Sequence, residues 1–204
     1  MARERKVWIW VIIAAAGAAV LMAAFLFDPI VRDWMLNHRN RDLRIAMAAV
    51  SRYGDWPEHV VLGLLLLSVA WWRKNTRWAR IFLAMLIACA IAGAAARVLK
   101  IGTGRARPSV KTESAWNGPR LAEKYHAFPS GHMAASTAFF AVLAFVSWRI
   151  GLACAAIPLL IGFSRMYVAA HYLSDVVFAA FLGVLCAYVV AKAMKLTVVP
   201  DGSG

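Results

Sequence analysis

The stretch VWIWVIIAAAGAAVLMAAFLF, residues 7–27, runs for 21 residues without a charge. Wound as a helix at about 1.5 Å per residue, it spans the roughly 30 Å hydrocarbon core of a bilayer. The basic start ahead of it, Arg3, Arg5 and Lys6, is also how a secretory signal begins. A signal's apolar region is usually about 7–15 residues long, so the segment is read as a retained first transmembrane helix. The rest of the chain agrees. Of its 204 residues, 62% are hydrophobic, whereas globular chains average roughly 45–50% on a similar grouping. A soluble domain of this size has too little interior for so much apolar surface. The fold class is therefore an all-α integral membrane protein.

Five further apolar segments follow, at about residues 58–72, 78–98, 133–148, 151–163 and 175–194. Several are short for a full crossing and need flanking aromatics and snorkelling charges to complete it. Trp71, Trp72, Trp78 and Trp148 stand at segment ends, as an aromatic belt does. Six transmembrane helices place both termini on one side. With the N-terminus inside, the inside segments carry ten basic residues against two acids, Glu4 and Asp201. The outside loops are longer and hold thirteen of the 23 basic residues together with eight of the ten acids. Basic density in short loops favours cytoplasmic termini in a cytoplasmic (inner) membrane. The same clustering accounts for the net charge of +13 without a nucleic-acid partner, for which there is no motif. Cys89, Cys154 and Cys186 lie inside apolar runs and read as core or lipid-facing residues.

The chain reads as a single domain over residues 1–204, with a frayed tail at 198–204. Runs of small residues at 14–19 and 92–96 allow close packing within or between chains, so oligomeric state stays open. Two long segments face outward. The first, residues 28–57, mixes charges with Trp34, Met35, Leu43, Ile45, Met47 and Val50, which suits an amphipathic helix in the interface. The second, residues 99–131, is rich in glycine, proline and basic residues.

Three stretches are unusual for membrane loops: KIGTGRARP (100–108), PSGH (129–132) and SRMYVAAHYLSD (164–175). On the six-helix arrangement all three fall on the outer face. Lys100, Arg107 and Arg165 supply cationic donors, the arginine forks matching phosphate oxygens and lysine acting as a point charge. Ser130 and Gly131 stand at a helix start, where unpaired N–H groups and the helix dipole favour an anion. The set reads as a cradle for a phosphate-like anion. His171 and Asp175 are spaced i, i+4. On a helix Asp175 would accept from one imidazole nitrogen and leave the other free to attack, with His132 as general acid.

Other residues have plainer readings. Arg105, Lys111, Arg120 and Lys124 read as topology-setting or headgroup contacts, and His38, His59 and His126 as polar tips at the headgroup level. A metal centre on His132, His171 and Asp175 is not expected. No H-E-x-x-H pattern is present, and the surrounding cations repel a divalent ion. No cofactor is expected.

Lys100-x6-Arg107-Pro108, Pro129-Ser130-Gly131-His132 and Ser164-Arg165-x5-His171-x3-Asp175 together resemble the three-part signature of the type 2 phosphatidic acid phosphatase (PAP2) superfamily. That family holds membrane lipid phosphatases and soluble vanadium-dependent haloperoxidases. Six apolar segments resemble the membrane branch, a PAP2-like helical bundle. The resemblance implies metal-independent hydrolysis of a terminal lipid phosphate or diphosphate through a phosphohistidine. His171 would be nucleophile, Asp175 its orienter, and His132 the acid and then the base. Lys100, Arg107, Ser130, Gly131 and Arg165 would bind phosphate. Undecaprenyl diphosphate, phosphatidylglycerophosphate, phosphatidate and a phosphate of lipid A are the candidate substrates. The alternatives are phosphotransfer to a second lipid from the same phosphohistidine and a non-catalytic lipid-binding role.

Overall fold

The computed structural model describes residues 2–196. The expected frayed tail at 198–204 lies outside the described residues. Seven α-helices form the described chain: α1 (Ala2–Asn37), α2 (Arg41–Tyr53), α3 (Trp56–Trp72), α4 (Thr76–Thr103), α5 (Gly131–Ala144), α6 (Trp148–Tyr167) and α7 (Leu173–Ala193). Each of the six apolar segments falls on its own helix, and α2 is the amphipathic helix expected within residues 28–57. The architecture is that of an all-helical, multi-pass membrane protein. Four helical stretches are long and apolar enough to cross a bilayer by themselves: Val7–Asn37, Thr76–Thr103, Trp148–Tyr167 and Leu173–Ala193. Trp56–Trp72 and Gly131–Ala144 are shorter.

The short helix α5 is central. It packs against α4, α6 and α7, and every residue from Met133 to Phe140 is buried. With 14 residues it rises only about 21 Å. Sheathed by its neighbours, α5 has no need to match the bilayer's thickness. Small residues bring the helices together. Ala84, Ala88, Ala92 and Ala96 of α4 and Ala134, Ala135 and Ala138 of α5 all lie in the core, where close backbone approach replaces the hydrophobic drive that lipid removes. Cys89 and Cys186 are buried, and Cys154 is partly exposed.

The first helix does not end at Phe27. It continues through Pro29 to Asn37. Asp28, the first charge, marks the boundary the sequence suggests, but that carboxylate is buried. Beyond it, Val31 and Met35, spaced i, i+4, pack with Met47 of α2 and Tyr167 of α6. The Tyr167 hydroxyl donates to the His38 carbonyl and accepts from the Asn40 amide, both at 3.1 Å. This contact seats the α1–α2 corner on α6.

Local chemistry sets the helix ends around the motifs. The Asn40 side chain caps α2 by accepting from the Leu43 amide at 2.7 Å, and Asp55 accepts from the Trp56 amide at 2.8 Å at the start of α3. α4 stops at Gly104, whose φ of +56° is left-handed and whose amide donates to the Lys100 carbonyl. A Cβ at Gly104 would stand 1.7 Å from the Gly118 carbonyl oxygen, so no other residue lets the 104–118 loop close. Arg105 then pairs with Trp116 in an antiparallel bridge, and the Ala127 amide donates to the Arg105 carbonyl at 2.9 Å.

Candidate active site

The three motifs meet at one end of the bundle. Lys100 lies in the last turn of α4, Ser130 caps α5, and Gly131 and His132 open it. Arg165 lies in the last turn of α6, His171 in the α6–α7 connection, and Asp175 in the first turn of α7. A Cβ on Gly131 would lie 3.5 Å from Lys100 Cε and 3.6 Å from its Nζ, so the second motif touches the first. The Ser130 amide donates to the Asp175 carbonyl at 3.1 Å, which joins the second motif to the third.

His171 is buried. Its Nδ1 lies 2.5 Å from the Ala127 carbonyl oxygen. A carbonyl only accepts, so Nδ1 carries the proton and Nε2 keeps its lone pair. Nε2 is buried without a hydrogen-bond partner. The expected Asp175–imidazole hydrogen bond is not formed: Asp175 Oδ2 is 3.7 Å from Nδ1. The reason is local. α7 begins at Leu173, so His171 precedes the helix and the i, i+4 face argument does not apply to it. Asp175 instead accepts from the Tyr172 amide at 2.7 Å and from Arg105 Nη1 at 2.5 Å.

Burial pushes the His171 imidazole well below its ordinary pKa; Lys100, Arg165 and Arg107 add to the shift by repulsion, while the Ala127 carbonyl opposes it. The ring is therefore neutral, and its free nitrogen faces a field of three cations. Lys100 Nζ also donates to the His126 carbonyl at 3.3 Å, and Arg165 Nη1 donates to the Ser51 hydroxyl of α2. Arg107 Nε and Arg165 Nε are, like His171 Nε2, buried without a partner. Two donors and one lone pair left unmatched in one cluster are the complement of a phosphoryl group. His132 is partly buried, with Nδ1 3.4 Å from Asp55 Oδ1. Among the described residues no group of three or more His, Cys, Asp or Glu side chains is arranged to hold a metal.

Three plain readings from the sequence are corrected. Arg105 is no headgroup contact. It is buried, with Nη2 2.7 Å from Asp28 Oδ2 as well as Nη1 on Asp175. A basic residue in a basic loop gives no sign of this, because its partners lie 77 and 70 positions away. His59 is buried, with Nδ1 2.6 Å from the Asp55 carbonyl and Nε2 3.1 Å from Ser136 Oγ, tying α3 to α5. His126 is buried too, its Nε2 2.9 Å from the Arg120 carbonyl. His38 alone of these remains exposed, bonded to the Trp34 carbonyl.

The chain is 34% identical over 121 residues to the lipid A 1-phosphatases of Rhizobium johnstonii and Rhizobium etli; the match covers 54% of this chain and 48% and 51% of theirs. The chain thus spans about half the length of these relatives. Its fold resembles the crystal structure of a transmembrane PAP2-type phosphatidylglycerolphosphate phosphatase from Bacillus subtilis. That likeness has a TM-score of 0.68 at 21% identity over 97% of this chain and 98% of that one. It also resembles Aquifex aeolicus LpxE, with a TM-score of 0.58 at 19% identity over 81% and 95%. The family model of the PAP2 superfamily matches residues 78–197, more than half of the sequence, and the chain belongs to that superfamily.

Proposed function

We propose that the protein is a metal-independent lipid phosphatase that removes a terminal phosphate through a phosphohistidine on His171, in a site on the outer face of a cytoplasmic membrane. The observation that carries this reading is the unpartnered His171 Nε2, tautomer-fixed by the Ala127 carbonyl within the field of Lys100, Arg107 and Arg165. Nε2 attacks phosphorus as the bond to the leaving lipid oxygen breaks, and His132 gives that oxygen its proton. Water then transfers a proton to His132 and attacks the phosphohistidine, releasing inorganic phosphate and free His171. Lys100, Arg107, Arg165, Ser130 and Gly131 bind the phosphoryl oxygens and spread the charge of the transition state. Asp175 lies beside the ring, where its charge offsets the positive charge the imidazole acquires on phosphorylation.

The lipid part of the substrate has room beside this site. A cavity of about 690 Å³ shares Lys100, Gly131 and His132 with the cradle and continues over Val60 of α3 and Ala90 and Ala94 of α4. Apolar walls there suit a hydrocarbon tail, and the polar end lies at the phosphate cradle. The names of the Rhizobium relatives put lipid A 1-phosphate first in a substrate panel, beside phosphatidylglycerophosphate, phosphatidate and undecaprenyl diphosphate.

The test is phosphate release from that panel by the purified full chain and by His171→Ala. Release from at least one lipid, abolished in the variant, is expected. Undiminished release by His171→Ala would overturn the mechanism. Label recovered in a second lipid rather than in free phosphate would make the protein a phosphotransferase.

A further inference from the structure

The buried cluster around Arg105 reaches from the first helix to the nucleophile. Arg105 Nη2 donates to Asp28 Oδ2 at 2.7 Å, and Nη1 donates to Ser174 Oγ at 2.7 Å and to Asp175 Oδ1 at 2.5 Å. Asp28 holds the start of α7 as well, accepting from the Ser174 amide at 2.8 Å and from the Ser174 hydroxyl at 2.6 Å. Three rings enclose the guanidinium carbon, with centroids 4.2 Å (Tyr172), 4.8 Å (Trp116) and 5.4 Å (Phe25) away. Such a fork, stacked among rings and bridging two carboxylates, cannot be replaced by lysine without loss.

Two groups face His171 Nδ1: the Ala127 carbonyl at 2.5 Å and Asp175 Oδ2 at 3.7 Å. Arg105 holds both. Its side chain fixes the Asp175 carboxylate through Oδ1, leaving Oδ2 toward the ring. Its backbone carbonyl accepts from the Ala127 amide, in the same residue whose own carbonyl accepts from Nδ1. We propose that Arg105, seated by Asp28 of the first helix, is a positioning residue for His171. Through it, α1 is part of the catalytic apparatus and not only a membrane anchor. Charge supports this role. Alone with Asp175, the guanidinium would cancel the carboxylate that faces the ring. Asp28 supplies a second carboxylate, so the formal charges of Asp28, Arg105 and Asp175 sum to one negative, and the carboxylate oxygen of this group that faces the ring, Asp175 Oδ2, is 3.7 Å from Nδ1. That charge is worth most when the imidazole becomes cationic on bonding to phosphorus, which is a transition-state effect.

The inference rests on the phosphohistidine reading, and Asp28→Asn and Arg105→Lys in the full chain test it. In both variants kcat is expected to fall by about 10- to 100-fold, the size found when outer partners that orient a ligating histidine are removed. KM and inhibition by inorganic phosphate should stay within about threefold, because the cradle residues are untouched. Vanadate, which takes its fifth ligand from the attacking nitrogen, should inhibit less well in step with kcat. Unchanged kcat in both variants would overturn the proposal. So would KM and phosphate inhibition collapsing together with kcat, the mark of a merely structural role. The NMR signal of the His171 Nδ1 proton needs no substrate. Its downfield shift should diminish in Asp28→Asn, and an unchanged shift counts against the proposal even if the wild type releases phosphate from no lipid tested. That last result would refute the phosphatase reading separately.

Discussion

Gly183, on α7, faces α5, and replacing it with alanine tests whether the bundle's packing holds the site in register. A Cβ there would lie 2.7 Å from the Ala134 carbonyl oxygen, 2.7 Å from Thr137 Cβ and 2.9 Å from the Ala138 amide nitrogen. Two of these are backbone atoms of α5 and cannot swing aside. Comfortable contacts are about 3.5–4.0 Å, so the helices must part by roughly 1 Å. Alanine is the better helix former by about 0.8–1.0 kcal/mol, but overpacking costs about 1–3 kcal/mol. Two of the three contacts are α5 backbone and cannot yield, so the cost wins, and a net loss of up to about 2 kcal/mol is expected. Activity should suffer more. Asp175 opens the same helix eight residues earlier, roughly 12 Å along its axis, while Ser130 and His132 open α5. A shift of about 1 Å between the two helix starts can cost on the order of 100-fold in rate. Thermal unfolding and phosphate release of the detergent-solubilised variant are the assays. Gly17→Ala, where a Cβ meets nothing within 4 Å, is the control and should behave as wild type. A Gly183→Ala protein as stable and as active as that control would refute the reasoning.

Two further outcomes follow from the site. The folded-state pKa of His171 is depressed, so below about pH 6.5 the unfolded chain takes up a proton there that the folded one refuses. This residue's contribution to stability is thus whole above about pH 6.5 and lost as pH falls toward the depressed value. The unfolding temperature should decline between about pH 7 and 5 less steeply in His171→Asn than in wild type; an equal slope would count against a buried neutral ring. Chelation is the other. Lys100, Arg107 and Arg165 repel a divalent ion, so phosphate release should survive exhaustive treatment with EDTA, and activity that magnesium restores after chelation would contradict the metal-free mechanism.

Much of the architecture is legible from hydropathy alone because lipid imposes one rule on every span: the segment must be apolar and helical. All six apolar segments are helices for that reason. The boundary after Phe27 does not hold, because the charge that suggests it does not end the helix. Asp28 is neutralised inside the protein by Arg105, and Met35 and Val31 carry the apolar stripe onward. In the candidate site, Lys100, Arg107, Ser130, Gly131, His132, Arg165, His171 and Asp175 are marked by residue type and spacing, and the helix ends and the loops beside them bring these residues to one end of the bundle. The plain readings of Arg105, His59 and His126 rested on local context. Each of these side chains is defined instead by a partner distant in sequence or by the folding of a loop over it.

Sequence by itself determined that this chain is a membrane helix bundle carrying three spaced polar motifs, since both properties are written in local composition and short spacings. Tertiary structure alone decided which atom of His171 is free. The imidazole tautomer depends on the Ala127 carbonyl 44 residues away, and the orientation of Asp175 depends on an arginine 70 residues away that is itself held by the first helix. Hydrogen bonds and charges act through space over a few ångströms, so their outcome is fixed only when α1, the 104–130 loop and the start of α7 close around the same buried point.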